Sequence, residues 1–202
     1  GQCQSDRASA YRTDLRRVAV YAPRIPLKLK DKVSVVTGGA SGMGAATVRA
    51  FAAAGSVVTL VDLDEKGAIC VARETGATAV IGDVSDSAFC DRIIDDVVTA
   101  CGRVDILVNC AGIILRANAN GTADEDWHRL LAVNVDSVFY MSRAAVRHMA
   151  PRGSGVIVNF GSIWGDVGAT GVVAYCASKG AVHQITRAMA LDHVEDGIRI
   201  NA

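Results

Sequence analysis

The sequence has no apolar run that approaches the ~20 residues of a membrane-spanning helix. Its 21 Lys and Arg residues balance 21 Asp and Glu residues, so no net charge draws it to nucleic acid or to an anionic membrane. Aromatic residues are scarce at 5%, although 50% of the residues are hydrophobic. This composition is typical of a parallel sheet rich in Val, Ala and Ile under helices of small residues, and the length fits one such domain.

The six cysteines also lack the spacing of a metal site. No two of them are separated by only two residues, and none stands beside a His at ligand spacing, so we predict no metal. Several fall in apolar patterns, where a free thiol acts as a small hydrophobic side chain. We therefore expect a reducing, cytoplasmic compartment, with a disulfide framework as the alternative.

Residues 1–30 differ from the rest of the chain. They carry seven Arg and Lys against two Asp, whereas the remainder carries fourteen basic and nineteen acidic residues. They include Pro23 and Pro26 and show no sustained periodicity. Such a basic segment is typical of an organelle transit peptide or of a poorly ordered extension, and we favour the extension. Residues 31–202 are expected to form the folded domain.

A strand, a glycine-rich turn and a helix follow one another from Val33. The run Val33–Thr37 has no polar alternation, which is typical of a strand buried on both faces of a parallel sheet. Apolar residues at helical spacing come directly after the glycines of the turn, which are Gly38, Gly39, Gly42 and Gly44. Glycines in this context let the backbone approach a phosphate, and the helix N-terminus offers free N–H groups. The stretch therefore predicts a nucleotide site.

Strands and helices alternate regularly beyond this point. Helices of ten or more residues between strands indicate right-handed crossovers, and so a doubly wound parallel sheet of the Rossmann type in the order 3-2-1-4-5-6. Ser85 is the expected N-cap of the third helix. The predicted strands are 33–37, 57–61, 78–81, 104–108, 155–160 and one from Ile198, and the predicted helices are about 42–54, 65–75, 86–100, 123–149 and 174–195.

Five of the predicted strands are followed by residues that suit a binding site. In an open α/β sheet, ligands bind at the carboxyl ends of the strands, where the strand order reverses. Five such residues at one edge are hard to explain as turn formers alone. They are Gly38, Asp62, Asp83, Asn109 and Ser162.

Asp62 bears on the choice of nucleotide. A carboxylate just past the second strand can accept hydrogen bonds from the 2′- and 3′-hydroxyls of a ribose, and it would repel a 2′-phosphate. No Arg or Lys lies between Gly38 and Gly44 to offset that charge. The sequence therefore favours NAD over NADP, and the alternative is that Asp62 only caps the following helix.

Tyr175 and Lys179 lie one helical turn apart, on the same face of the helix that follows the Ser162 loop. A nearby ammonium stabilises a phenolate and so makes a phenol a usable proton donor and acceptor near neutral pH. Such a pair is common on helix surfaces, but its place after the Ser162 loop favours a catalytic role.

Over residues 31–202 the chain resembles a short-chain dehydrogenase/reductase. Thr37–Gly44 is similar to the T-G-x-x-x-G-x-G turn of that family, and Asn109–Gly112 to its N-x-A-G element. Tyr175–Lys179 is similar to its Y-x-x-x-K motif. Ser162 stands where the family has its active-site serine, and Asn134 where it has a helix asparagine.

The resemblance implies a dinucleotide-binding and catalytic domain with NAD as cofactor and a secondary alcohol or ketone as substrate. It makes Tyr175 the general acid and base, and it gives Lys179 the tasks of supporting that phenol and holding the nicotinamide ribose. Ser162 would bind the substrate oxygen, and Asn134 would hold a water that links Lys179 to solvent. The implied cofactor-binding residues are Gly38, Ser41, Gly42, Met43, Gly44, Asp62, Asp83, Val84, Asn109, Ala111, Gly112, Tyr175 and Lys179.

Family members continue beyond the position of Ala202 with a Pro-Gly segment, a substrate-covering loop and a last strand. We therefore expect either that the sequence is part of a longer protein or that it is a truncated form. Two other functions stay open at this point. One is an NADP-dependent reductase of 3-oxoacyl substrates, and the other is a non-catalytic nucleotide-binding module.

Two loop residues are further candidates for substrate contact. Trp164 is either an aromatic wall of the site or a packing residue, and Arg116 is either a substrate contact or a solvated charge. The histidines are expected to be ordinary helix residues rather than catalysts. They are His128, His148, His183 and His193.

The helices predicted at 123–149 and 174–195 carry apolar residues on more than one face, which favours a homodimer or homotetramer. The alternative is that these residues cover loops within one chain. Leu130, Val133, Val138, Phe139, Met141 and Val146 make up the apolar set of the first helix, and Ala181, Val182, Ile185, Ala188 and Met189 that of the second.

Overall fold

The computed structural model describes residues 29–202, so all but the end of the predicted N-terminal extension lies outside the described residues. Six parallel strands form one sheet in the order β3-β2-β1-β4-β5-β6, which confirms the predicted order. The strands are β1 Val33–Thr37, β2 Val57–Asp62, β3 Thr78–Ile81, β4 Ile106–Asn109, β5 Gly155–Asn159 and β6 Ile198–Asn201.

The long helices cover both faces of the sheet, and within residues 29–202 none combines the length and apolarity needed to cross a bilayer. The helices are α1 Gly42–Ala53, α2 Glu65–Thr75, α3 Ser87–Cys101, α4 Asp124–Leu131, α5 Ser137–Met149 and α6 Val173–Asp192. A π-helical turn, Ala132–Asp136, joins α4 to α5. Short 3₁₀ turns lie at Ala119–Gly121, Ala150–Arg152 and Ile163–Gly165.

The central strand β1 is buried along its whole length, as its sequence predicts. Alternate residues face opposite sides of the sheet, so Val35 packs into one core cluster with Ile94, and Val36 into the other with Val48. The register aligns Thr37 with Asn109, and Asn109 with Asn159. The carboxyl ends of β1, β4 and β5 therefore meet in one row, and this row positions the candidate site.

The helix predicted at 123–149 is divided into α4 and α5 by the π-helical turn. Among the other helix boundaries that differ from the predictions, two have visible reasons. Asp86, not Ser85, caps α3, because the backbone N–H and the hydroxyl of Ser85 both donate to the Asp83 carboxylate. The last long helix ends at Asp192 instead of residue 195. There the chain turns, and the N–H of Gly197 donates to the Val194 carbonyl.

The prediction that the long helices have a second apolar face, available for self-association, is wrong for most of the residues on which it was based. Six of them are buried within this single chain, because the helices pack on the sheet and on one another. On α5, Phe139 stays 42% exposed, and on α6 Ala188 is exposed. The six buried residues are Leu130, Val138, Met141, Val146, Val182 and Met189.

Candidate active site

The glycine turn after β1 is compact because Gly38, Gly39 and Gly44 have no room for a side chain. Gly38 has a positive φ of 67°, and a Cβ there would lie 2.8 Å from the Cα of Ala111. A Cβ on Gly44 would overlap the carbonyl oxygen of Gly38. The first turn of α1 therefore presses directly against the end of β1.

The N-terminus of α1 is open to an anion. Its N-cap, Ser41, makes no side-chain hydrogen bond to the helix, and the first turn contains no acidic residue. The first N–H groups of a helix have no partner within it and lie at the positive end of its dipole. This helix end can therefore bind a phosphate group.

Thr37 ties the turn to the segment after β4. Its Oγ1 accepts hydrogen bonds from the backbone N–H groups of Cys110 and Ala111, each at 3.2 Å. These bonds fix the two strand ends at which the strand order reverses. A cleft opens beside them, as expected for this sheet topology.

Asp62 is held in place at the edge of this cleft. Its Oδ2 accepts from the N–H of Ala40 at 2.9 Å, and its Oδ1 from the N–H of Asp64 at 3.0 Å. Asp64, rather than Asp62, caps α2 by accepting from Gly67. Each Asp62 oxygen keeps a further lone pair, so the carboxylate can still accept bonds from a ligand.

The cleft has a volume of about 320 Å³ and brings together ten of the thirteen residues expected to bind the cofactor. It also contains six residues that the sequence-based site prediction did not include. Each is next to an expected site residue in the chain, and that adjacency is the signal that could have found it. The ten are Gly38, Ser41, Gly42, Met43, Gly44, Asp62, Asp83, Val84, Ala111 and Gly112, and the six are Val61, Leu63, Gly82, Cys110, Ile113 and Val133.

The side chain of Asn109 lies outside this cleft. It is buried, and its Nδ2 donates to the Asn159 Oδ1 at 2.8 Å and to the Ser142 Oγ at 3.0 Å. The chain of bonds continues from the Asn159 Nδ2 to the Thr186 Oγ1 on α6, at 2.9 Å. Asn109 thus links β4 to β5 and to two helices, and the lining of the cleft begins at Cys110.

Asn134 lies in the π-helical turn and is fully buried. Its Oδ1 accepts from the N–H of Ile113 at 2.7 Å, and its Nδ2 donates to the Ile113 carbonyl at 2.8 Å. The same Nδ2 donates to the Ser178 Oγ on α6 at 3.1 Å. Asn134 therefore clamps the segment after β4 to the helix that carries Tyr175 and Lys179.

Tyr175 and Lys179 lie together on α6, as their spacing predicts. The Lys179 Nζ lies 5.7 Å from the centre of the Tyr175 ring and donates to the Phe160 carbonyl at 2.6 Å. Only 6% of Lys179 is exposed, and this burial lowers the pKa of its ammonium group. A Cβ on Gly112 would lie 3.8 Å from the Nζ, so the buried lysine faces the inner end of the cleft.

Ser162 lies in the loop after β5, and its backbone is held at the 3₁₀ turn. Its Oγ accepts from the N–H of Trp164 at 3.2 Å, and its own N–H donates to the His183 Nε2 at 3.3 Å. The Trp164 ring meets the Tyr175 ring edge to face, with centres 5.9 Å apart. Trp164 thus packs beside the phenol, whereas Arg116 is exposed on the loop after β4.

The side chains of Ser162, Tyr175 and Lys179 are suited to proton transfer. A hydroxyl, a phenol and a buried ammonium group stand on neighbouring elements, next to a cleft that can take a phosphate at one end. Such groups donate, accept and relay protons at an oxygen atom.

Comparison with known proteins identifies the family. A sequence model described as short chain dehydrogenase matches residues 32–202. The chain is 40% identical to a meso-2,3-butanediol dehydrogenase of Serratia marcescens, over 87% of this chain and 71% of that protein. It is also 40% identical to a galactitol 2-dehydrogenase (L-tagatose-forming) of Cereibacter sphaeroides, over 89% of this chain and 72% of the relative.

A solved structure agrees with these matches. A short chain dehydrogenase from Mycobacterium smegmatis superposes with a TM-score of 0.83 at 35% identity, covering 86% of this chain and 76% of that one. Family model, relatives and fold point to one conclusion, and the protein belongs to the short-chain dehydrogenases, a family of oxidoreductases that use nicotinamide cofactors.

Proposed function

We propose that the protein transfers a hydride between NAD and a secondary alcohol or ketone, with Tyr175 as the general acid and base. The observation that carries the proposal is the position of Tyr175 and Lys179 on one face of α6, beside a cleft that holds both a glycine turn and Asp62. The nicotinamide ring would supply the hydride chemistry, while the protein would supply position and electrostatics.

The residues in and beside the cleft offer partners for the successive parts of a dinucleotide. The open N-terminus of α1 suits the pyrophosphate, since a Cβ on Gly38 or Gly44 would close the turn. The fixed Asp62 carboxylate suits the hydroxyls of the adenosine ribose. Asp83 and Val84 would flank the adenine, and Gly112, Tyr175 and Lys179 would lie at the nicotinamide end.

Proton transfer falls to three side chains. In alcohol oxidation, Tyr175 would take the hydroxyl proton, and in ketone reduction it would return one. The buried Lys179 ammonium next to it would stabilise the phenolate form. The Ser162 Oγ already accepts from the N–H of Trp164, so its own hydrogen is available for the substrate oxygen.

The names of the relatives support an alcohol substrate. Meso-2,3-butanediol and galactitol both carry secondary hydroxyl groups, and the two enzymes named for them are 40% identical to this chain over the aligned 179 and 184 residues. We take from them the substrate class alone.

Tyr175→Phe tests the catalytic assignment. The change removes the transferable proton and little contact area, so kcat should fall at least about 100-fold while the Kd for NAD changes less than about threefold. NADH formation with a panel of secondary alcohols and NAD binding by titration are the measurements. Tyr140→Phe, the same chemical change on α5, is the matched control. Wild-type turnover in Tyr175→Phe would contradict the assignment of Tyr175 as the general acid and base.

Asp62→Ala tests the choice of cofactor. Loss of hydrogen bonds to a charged group costs about 1.5–3 kcal/mol, so the preference for NAD over NADP in kcat/KM should fall roughly 10- to 100-fold. Asp64→Ala is the control, because it removes only the cap of α2. A wild-type protein that prefers NADP, or an unchanged preference in Asp62→Ala, would contradict the proposal.

We also propose that the protein self-associates through α5 and α6. The support is Phe139, a large aromatic side chain that stays 42% exposed on α5, with the Arg143 guanidinium 5.4 Å from its ring centre. Exposed aromatic and Arg side chains are typical of interfaces between proteins.

Light scattering of the purified protein should therefore give a mass of at least twice the 21.0 kDa of one chain. Phe139→Glu should lower this mass, because it places a charge in the apolar contact. Ile69→Glu, a matched change of a half-exposed residue on α2, should leave it unchanged. A wild-type mass of one chain at every concentration would rule out self-association.

A further inference from the structure

We propose that His183 is a positioning residue that holds Ser162 in place by accepting a hydrogen bond from the Ser162 backbone N–H. We also propose that Asp166 selects the His183 tautomer that can accept this bond. The inference rests on the function proposed above, because it concerns how the Ser162 hydroxyl is presented to the substrate. Sequence reasoning expected an ordinary helix residue at this position, and no motif of the family resemblance includes it.

The contacts form a chain of three links. The Ser162 N–H donates to the His183 Nε2 at 3.3 Å, and the His183 Nδ1 lies 3.1 Å from the Asp166 Oδ1. The Arg187 Nη2, one turn further along α6, lies 3.5 Å from the same carboxylate oxygen. The Asp166 Oδ1 therefore contacts both the Arg187 guanidinium and the His183 imidazole.

The direction of each bond follows from the chemistry of its groups. A backbone N–H can only donate, so the Nε2 that receives it carries no proton. The neutral ring then has its proton on Nδ1, which donates to the Asp166 carboxylate. This hydrogen bond is the main reason that the pKa of Asp166 is held below its ordinary value.

Two glycines allow the loop to approach the imidazole closely. A Cβ on Gly161 would overlap the His183 Nε2, and a Cβ on Gly165 would lie 2.9 Å from the His183 Cε1. The same Cβ on Gly165 would lie 2.7 Å from the carbonyl of Lys179. The loop that carries Ser162 and Trp164 therefore packs directly onto α6, and only 12% of the His183 side chain is exposed.

The position of His183 on α6 gives this contact its functional meaning. Tyr175, Lys179 and His183 follow one another at intervals of four residues and so share one stripe of the helix. This stripe carries the proposed proton donor Tyr175, the Lys179 ammonium group beside it, and the His183 nitrogen that accepts the hydrogen bond from Ser162. His183 thus sets the distance between the Ser162 loop and the helix that bears Tyr175.

The two amide analogues of histidine separate its two bonds. In His183→Gln, the side-chain oxygen reaches the position of Nε2 and can still accept from Ser162. In His183→Asn, the shorter amide reaches only the position of Nδ1, so it can donate to Asp166 but cannot accept from Ser162. Both variants are uncharged, so they differ mainly in which bond they keep.

The first measurement is hydrogen exchange of the Ser162 amide by NMR, which requires no substrate. We expect exchange in His183→Asn to be at least about tenfold faster than in the wild type, the equivalent of one lost hydrogen bond, and exchange in His183→Gln to stay within about threefold. Equal exchange in the two variants, or wild-type protection in His183→Asn, would overturn the proposal.

The second measurement is turnover of the alcohol that the wild type oxidises fastest with NAD. His183→Asn should lower kcat/KM for the alcohol about tenfold, with an unchanged KM for NAD, and His183→Gln should restore most of it. Asp166→Ala should lower kcat/KM in the wild type and have no further effect in His183→Gln, because the tautomer no longer matters there. Equal effects of Asp166→Ala in both backgrounds would overturn the proposal, and this comparison holds even if His183→Asn does not fold.

Failure of this inference is distinguishable from failure of the proposed function. If Tyr175→Phe abolishes turnover while His183→Asn keeps wild-type exchange and turnover, only the role of His183 is lost. If Tyr175→Phe keeps turnover, the function proposed for the site is lost whatever the His183 variants do.

Discussion

The contact between the ends of β1 and β4 is the constraint on which the site depends. Gly38 meets the backbone of Ala111 so closely that no side chain fits between them, and Thr37 bonds to two N–H groups of the same segment. Gly44 then allows α1 to start against this contact. The strand order reverses between β1 and β4. This reversal brings the two backbone segments close together, and it also opens the cleft beside them.

Buried amide side chains extend this constraint to α6. Asn134 joins the segment after β4 to Ser178, and Asn109 joins β4 to Asn159, which in turn bonds to Thr186. A buried polar network of this kind fixes one arrangement, because each broken bond would leave an unpaired group in the core. On α6, Lys179 lies between the two attachment points, Ser178 and Thr186, and Tyr175 lies one turn before the first of them. The network therefore keeps both side chains in place beside the cleft.

The sequence predicts the fold and the outline of the site because these depend on local patterns. Buried runs, glycine turns and helical spacing locate the strands, the cleft and the Tyr175–Lys179 pair. Side-chain direction depends on tertiary packing, so the pattern did not reveal that Asn109 points into the core or that His183 accepts from Ser162. Most of the apolar residues of the helices predicted at 123–149 and 174–195 were misread for the same reason. A sequence does not show which faces of a helix a neighbouring element covers.

The most direct test of the central claim is a titration with NADH of the wild type, Gly44→Ala and Gly168→Ala. The account predicts binding by the wild type and at least about tenfold weaker binding by Gly44→Ala, because the added methyl group displaces the turn that would cradle the pyrophosphate. Gly168→Ala should bind like the wild type, since a Cβ there meets nothing within 4 Å. Equal affinity in all three proteins, or no binding by the wild type, would contradict the account.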